Sequence, residues 1–320
     1  MPIIPSKYVA RGLFRNGHFS TIYSAKLRPR PKLLQKRERI WLLDGDFMDL
    51  DWSETNQSSG KVAVLLHGLE GNAQRRYMLG QARALIENGW DACAVNYRGC
   101  SGVDNFSYGS YNAGKTDDLE SVIQHIIKKD SYDEIALIGF SLGGNLILKY
   151  LGEGRIIPKE VIKGMAVSAP LSLKGSLEQL EKQKNVIYRT SFIHDLRKKY
   201  RVKMPKHPAH MNQHELKRIR SLKDFDDIYT APAHGFEDAF DYYRQNSSLQ
   251  FLKDITNPVL ILNAQNDSFL SPHCYPELLA SKSKNIYLET PKHGGHVGFH
   301  QSNETYYNEI RSCEFLNAKF

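Results

Sequence analysis

Cysteine is scarce in this chain, and what there is stays apart. Cys93, Cys100, Cys274 and Cys313 are the 4 among 320 residues, and they show neither metal-ligand nor redox spacing. That excludes a disulfide-stapled scaffold and a zinc ribbon. Long apolar runs are missing too: no stretch approaches the roughly 20 residues that a membrane-spanning helix needs. An apolar segment of the secretory kind is also lacking near the N-terminus, so the expected setting is reducing and cytoplasmic. The 12 histidines include His194, His207, His210 and His214, but none stands in an H-E-x-x-H or similar pattern. Neither a metal nor a cofactor is expected. Internal repeats and low-complexity tracts are absent as well, which sets solenoids aside.

Acidic residues are scarce in one region. From Lys174 to Lys223 only Glu178, Glu181, Asp195 and Glu215 stand against 14 Lys or Arg, so this segment carries +10 in a chain whose total is +8. A solvated basic face is the plain reading. Attraction to anionic lipid or an acidic ligand is the functional one. Nucleic acid is not expected as a partner, because no recognised nucleic-acid module accompanies the charge.

What the chain does contain is a pentapeptide with chemistry in it. Gly139-Phe140-Ser141-Leu142-Gly143 follows the apolar run Ile135-Ala136-Leu137-Ile138 and leads into Gly144-Asn145-Leu146-Ile147-Leu148-Lys149-Tyr150-Leu151. Strand, tight turn and helix form the context in which G-x-S-x-G becomes a nucleophile elbow. The turn lifts the Ser141 hydroxyl out of the sheet, and the flanking glycines leave room for the neighbouring strand and helix.

The surrounding rhythm predicts an α/β fold. Ile40-Trp41-Leu42-Leu43, the turn Asp44-Gly45-Asp46 and Phe47 to Trp52 read as a hairpin that takes over from the charged run Lys36 to Arg39. Strands are expected at Val62–Leu66, Ala92–Tyr97, Ile135–Ile138, Gly164–Ser168, Val259–Leu262 and Ile286–Leu288. Helical spacing runs from about Arg75 to Asn88 and from Asp117 to Lys129, with Thr116 placed to cap the latter. The basic, N-terminal 35 or so residues read as an arm lying on the domain. A hairpin followed by βα alternation gives an open, mostly parallel, doubly wound sheet within one domain, 1–320. Residues 171–250 interrupt the alternation and read as a helical cap over the carboxyl ends of the strands, where such sheets bind ligands.

An elbow serine needs an acid and then a histidine, each just past a later strand. Asp267 is the only carboxylate in the turn after Val259–Leu262, and His293-Gly294-Gly295-His296 follows the last strand. His296 is preferred over His293 because the glycines before it let the loop reach over the sheet. In this arrangement the imidazole takes the serine proton and the carboxylate holds the imidazole's tautomer. The oxyanion hole needs two amides. Leu142, directly after the serine, should supply one, and Leu69 in the turn His67-Gly68-Leu69-Glu70-Gly71 the other. Phe140 and Gly68 are expected to line the substrate site, with an acyl pocket between the cap and Leu69, Leu142 and Phe140. Asp224-Phe225-Asp226-Asp227 reads as a helix start or an anchor for the basic segment, and nothing positions Cys100 as a nucleophile.

Several segments together resemble one family: Asn16 to Thr21, Asp44 to Phe47, His67 to Gly71, Arg98 to Gly102, Gly139 to Asn145, Asp224 to Asp227, Asp241 to Arg244 and His293 to Phe299. The chain is similar to the YheT-like branch of the α/β-hydrolases, whose relatives include eukaryotic abhydrolase-domain lipases and fungal medium-chain ethyl-ester synthase/esterases. The resemblance implies the α/β-hydrolase fold, a triad on Ser141, Asp267 and His296, and esters of short or medium acyl chains or lipids as substrates. Two departures stand out. Asn266-Asp267-Ser268 replaces the family's two adjacent acids and proline, and the segment after Phe299 is unlike the usual one. The expected activity is carboxylic-ester hydrolysis through an acyl-enzyme on Ser141. The alternatives are an acyltransferase using the same triad, or a non-catalytic module that docks on anionic membrane through the cap.

Overall fold

A computed structural model describes residues 3–56, 59–302 and 304–319 of the chain. Nine strands form one sheet: β1 (Ile3–Ile4), β2 (Lys36–Trp41), β3 (Phe47–Ser53), β4 (Lys61–Leu66), β5 (Asp91–Asn96), β6 (Glu134–Phe140), β7 (Val161–Val167), β8 (Val259–Leu262) and β9 (Ile286–Glu289). Their order is β1-β9-β8-β7-β6-β4-β5-β3-β2. Every pairing is parallel except those of β3, which runs antiparallel to both β2 and β5. The mostly parallel α/β sheet read from the sequence is the observed one.

The apolar strands explain the layering. Side chains alternate across a strand, so a strand covered on both faces must be apolar throughout. In β4, Val62 and Val64 face one core, with Leu119, Val122 and Ile123 of the helix α3 (Thr116–Lys128). Ala63 and Leu65 face the other, with Met78, Ala82 and Leu85 of α2 (Arg76–Glu87). All four β4 side chains are fully buried.

Two local readings change. The charged run Lys36 to Arg39 is not a prelude to β2 but most of it. Lying on the sheet edge, it pairs Arg37 with Asp51 at 2.6 Å and Arg39 with Asp49 at 2.8 Å across the hairpin. An edge strand tolerates such charges because one side stays wet, and opposite charges across a ladder attract. Thr116 does not cap α3: the helix starts on it, and Lys115 holds the cap position without a side-chain bond. The segment after Phe299 ends in a helix, Tyr307–Asn317, whose last carbonyls receive Lys163 Nζ from β7 at 2.6 Å on both Leu316 and Ala318. Glu309 of that helix forms a buried ion pair with Arg28.

A short helix, α1 (Gly17–Ile22), lies in the N-terminal arm, and α4 (Leu142–Gly152) follows β6 directly. Between β7 and β8 the chain leaves the sheet and forms α5 (Leu173–Leu180), α6 (Val186–Lys203), α7 (Gln213–Arg218), α8 (Leu222–Phe225), α9 (Ala231–His234) and α10 (Ala239–Asn246). This segment has its own apolar cluster, which includes Leu196, Tyr200, Leu216, Ile219, Phe225 and Tyr229. Two of its basic residues point inward. Lys203 is fully buried, its ammonium on Asn105 Oδ1 at 2.8 Å and on the Ser107 carbonyl at 2.7 Å. One turn earlier, Lys199 meets Glu70 at 2.8 Å. Part of the basic charge is therefore an attachment to the sheet and not a surface field. Among the described residues no helix is long and apolar enough to cross a membrane.

Candidate active site

Ser141 sits between β6 and α4 with φ 51° and ψ −119°, in the left-handed half of backbone space where a non-glycine residue is strained. The surroundings impose the strain. Ser141 N–H is tied to the Val167 carbonyl at 2.9 Å, and its own carbonyl accepts from Gly144 and Asn145. A Cβ on Gly139 would overlap the Gly143 carbonyl, and one on Gly143 would lie 2.5 Å from the Leu66 carbonyl oxygen. The two glycines permit a turn this tight. Asn145, one turn into α4, is fully buried and fixes the helix by donating to Ala113 and Asn246 carbonyls and accepting from Ser248 N–H at 2.9 Å.

His296 and Asp267 come together as the chain order requires. His296 Nδ1 lies 2.8 Å from Asp267 Oδ2, with the carboxylate side chain fully buried and the imidazole 11% exposed. Asp267 Oδ1 accepts from Phe269 N–H at 2.9 Å, and the Phe269 ring packs on His296 at 4.3 Å. His293 instead hydrogen-bonds the Arg15 carbonyl at 2.9 Å. The loop carrying His296 rests on the N-terminal arm. His296 N–H donates to Thr21 Oγ1 at 2.8 Å, and a Cβ on Gly295 (φ 59°) would overlap the Gly17 carbonyl. Asn266, the departure noted in the sequence, uses both ends of its amide. Its oxygen accepts from Gly295 N–H at 2.9 Å and its nitrogen donates to the Arg15 carbonyl at 3.0 Å. An aspartate there could make only the first bond.

The turn after β4 is held just as tightly. His67 is fully buried; its Nε2 accepts from Tyr97 N–H at 3.4 Å, which leaves Nδ1–H to donate to the Gly68 carbonyl at 2.8 Å. Burial pushes its pKa down to about 3, so this histidine is a neutral brace. Gly68 N–H donates to Tyr77 OH at 3.0 Å and Glu70 N–H to Tyr111 OH at 2.8 Å. The amide between them, Leu69 N–H, makes no hydrogen bond among the described residues. Leu142 N–H is the first amide of α4, where no intrahelical acceptor exists. Glu70 has φ 50° and accepts from Tyr111 OH at 2.7 Å and from Lys199 Nζ at 2.8 Å. A buried ion pair from α6 thus ends on the residue next to Leu69.

Comparison with known proteins places this arrangement. The family model described as the alpha/beta hydrolase fold matches residues 62–302. The chain belongs to the α/β-hydrolases. Within them it is 34% identical to YheT of Escherichia coli (strain K12), a protein whose name carries the word esterase; the match covers 89% of this chain and 85% of that one. That likeness puts the hydrolase in the YheT branch. It is also 27% identical to Phospholipase ABHD3 of Homo sapiens, over 93% of this chain and 75% of the relative. Among solved structures, the Pyrococcus furiosus esterase Pf2001 superposes with a TM-score of 0.57 at 17% identity and 98% coverage of each chain, a likeness of fold alone.

Two chambers of this hydrolase meet at Ser141 and His296, and Leu69, Phe192 and Phe269 border both. The first runs under the helical segment and is walled by Leu142, Leu173, Leu177, Leu196, Leu222 and Phe225, among others. The second opens between α1 and α6 beside Lys26, Arg75 and Arg76. Gly68 borders it, and a Cβ there would stand 3.2 Å from Ser141 Cβ. Phe140 lies beneath it, fully buried, its ring 4.9 Å from Tyr77. Sequence reasoning had no signal for Tyr77, Tyr111 or Lys199, since none belongs to a chemical motif; for Thr21 the similarity of Asn16 to Thr21 to the family was the one hint that the arm mattered. Burial pushes the Cys100 thiol up to about 11, which disfavours its thiolate.

Proposed function

We propose that this α/β-hydrolase cleaves carboxylic esters through an acyl-enzyme on Ser141. The observation that carries the reading is the His296–Asp267 pair at 2.8 Å beside a chamber that also holds the strained serine. A serine hydroxyl is a poor nucleophile at neutral pH and needs a base. His296 Nε2 takes the Ser141 proton as Oγ attacks the ester carbonyl carbon. The carbonyl oxygen becomes an oxyanion that receives the Leu69 and Leu142 amides, Leu69 being the amide of its turn left unengaged. The tetrahedral centre collapses, His296 returns the proton to the departing alkoxide, and the acyl group stays on Oγ. Water then repeats the sequence and releases the acid. Asp267 holds the imidazole with Nδ1–H toward itself and stabilises the imidazolium. The apolar chamber suits an acyl chain, and residues 171–250 act as its cap. The second chamber suits the alcohol portion, where Lys26, Arg75 and Arg76 favour a polar or anionic group. The relatives' names, esterase and phospholipase, agree with an ester or lipid substrate.

A fluorophosphonate probe tests the reading. Native protein is expected to label and Ser141→Ala not to; an unlabelled native protein, or equal labelling of both, removes it. The two chambers also favour acyl transfer as a second activity, because an alcohol seated in the second one can replace water. Adding a medium-chain alcohol to an ester assay would then yield the new ester, and hydrolysis alone at saturating alcohol would exclude it.

A further inference from the structure

The apolar chamber contains one feature that ester cleavage does not use. Asp226 borders it, but not the junction around Ser141 where the two chambers meet. Asp226 is half-buried and lines this chamber. Thr230 Oγ1 donates to Oδ1 and Tyr243 OH to Oδ2, each at 2.6 Å. No cation pairs with it among the described residues, since the nearby Lys223 is engaged by Asp227. Its neighbours in the acidic run are otherwise occupied: Asp224 closes a capping box with Ser221, and Asp227 also accepts from Ala239 N–H at 2.8 Å.

A carboxylate accepts about four hydrogen bonds, and this one receives two. A neutral amide could hold the same two hydroxyls and join the same helices without the cost of a buried charge. Phe225, Tyr229, Tyr242 and Tyr243 line the chamber near it, and aromatic faces favour a cation. We infer that Asp226 is a recognition subsite for a hydrogen-bond donor, an ammonium or a hydroxyl, carried at the end of the acyl chain remote from the ester. The inference rests on the acyl-enzyme reading of Ser141. Burial holds the Asp226 pKa up at about 6, and a donor seated on the carboxylate would stabilise its ionised form.

The test is a set of p-nitrophenyl esters of straight-chain acids, graded in length and ending in methyl, hydroxyl or ammonium, with kcat/KM as the readout. At one chain length the hydroxyl or ammonium ester should exceed the methyl ester by about tenfold or more. Asp226→Asn should abolish the ammonium preference and keep a hydroxyl one, while Asp226→Leu should favour methyl throughout. If the leucine variant does not fold, the asparagine variant still decides. Methyl esters favoured at every length by the native enzyme, or a polar preference that survives Asp226→Asn unchanged for ammonium, would overturn the subsite. Native protein that hydrolyses no ester and takes no fluorophosphonate refutes the acyl-enzyme reading instead, so the two failures are distinguishable.

Discussion

Replacing Lys199 by methionine should separate stability from turnover. Methionine keeps the apolar stem but removes the ammonium that meets Glu70 Oε1 at 2.8 Å, where each side chain is 11% exposed. Taking away one partner of a buried pair costs about 3–5 kcal/mol because the other charge is stranded. Glu70 keeps the Tyr111 hydroxyl, so the lower end, about 3 kcal/mol, is expected. For a chain of this size that lowers Tm by on the order of 5 °C. The stranded carboxylate recovers part of that loss by turning to water, and Glu70 is the residue after Leu69. If its rotation draws the Leu69 amide off the oxyanion, kcat should fall about 100-fold, the cost of one such donor. Thermal unfolding and ester kinetics on the same preparation measure both effects, with KM moving far less than kcat and Lys199→Arg recovering part of the rate. A variant whose Tm falls while kcat stays within about twofold refutes the link between the α6 lysine and the oxyanion turn.

Gly143→Ala should fold poorly or lose over about 100-fold in kcat, because the new methyl carbon would lie 2.5 Å from the Leu66 carbonyl oxygen; circular dichroism with ester kinetics distinguishes the two routes. Asn266→Asp should cost about 1 kcal/mol in urea unfolding, since a carboxylate cannot donate to the Arg15 carbonyl. Asp226 has a folded pKa raised to about 6 by burial, with Asp227 adding to the rise and Thr230 and Tyr243 opposing it. A raised carboxyl contributes stability that is complete below its unfolded value of about 4 and lost as pH rises through about 6. Asp226→Asn lacks this titration. Its stability relative to native should therefore improve by on the order of 1–3 kcal/mol between pH 4 and pH 7 in urea titrations, and a constant difference would count against the shift.

The legible parts of this molecule were those with period or spacing. Val259–Leu262 is observed over the expected residues because a strand buried on both faces has no polar position to blur it. The contact of Asp267 with His296 was legible because an elbow serine calls for an acid and a histidine just past later strands, and the structure brings these two together; their work with Ser141 is the proposal. Lys36 to Arg39 was misread since charge usually marks a loop, and only the opposing Asp49 and Asp51 reveal a strand edge. Lys199 and Lys203 looked like surface charge for the same reason. Whether a lysine faces water or Glu70 depends on a partner about 130 residues away, which no local pattern encodes. Thr21 acts through a hydroxyl on a loop 275 positions away, and no local pattern encodes such a bond.

The seat of His296 has a consequence for how the molecule is made. Its amide bonds to Thr21, 275 positions earlier. During synthesis the receiving hydroxyl emerges long before the amide that bonds to it. Closing so long a loop is entropically late, so the His296 loop takes its place among the last events of folding. On the proposed acyl-enzyme reading, a chain in which this loop has not yet closed carries Ser141 without its base.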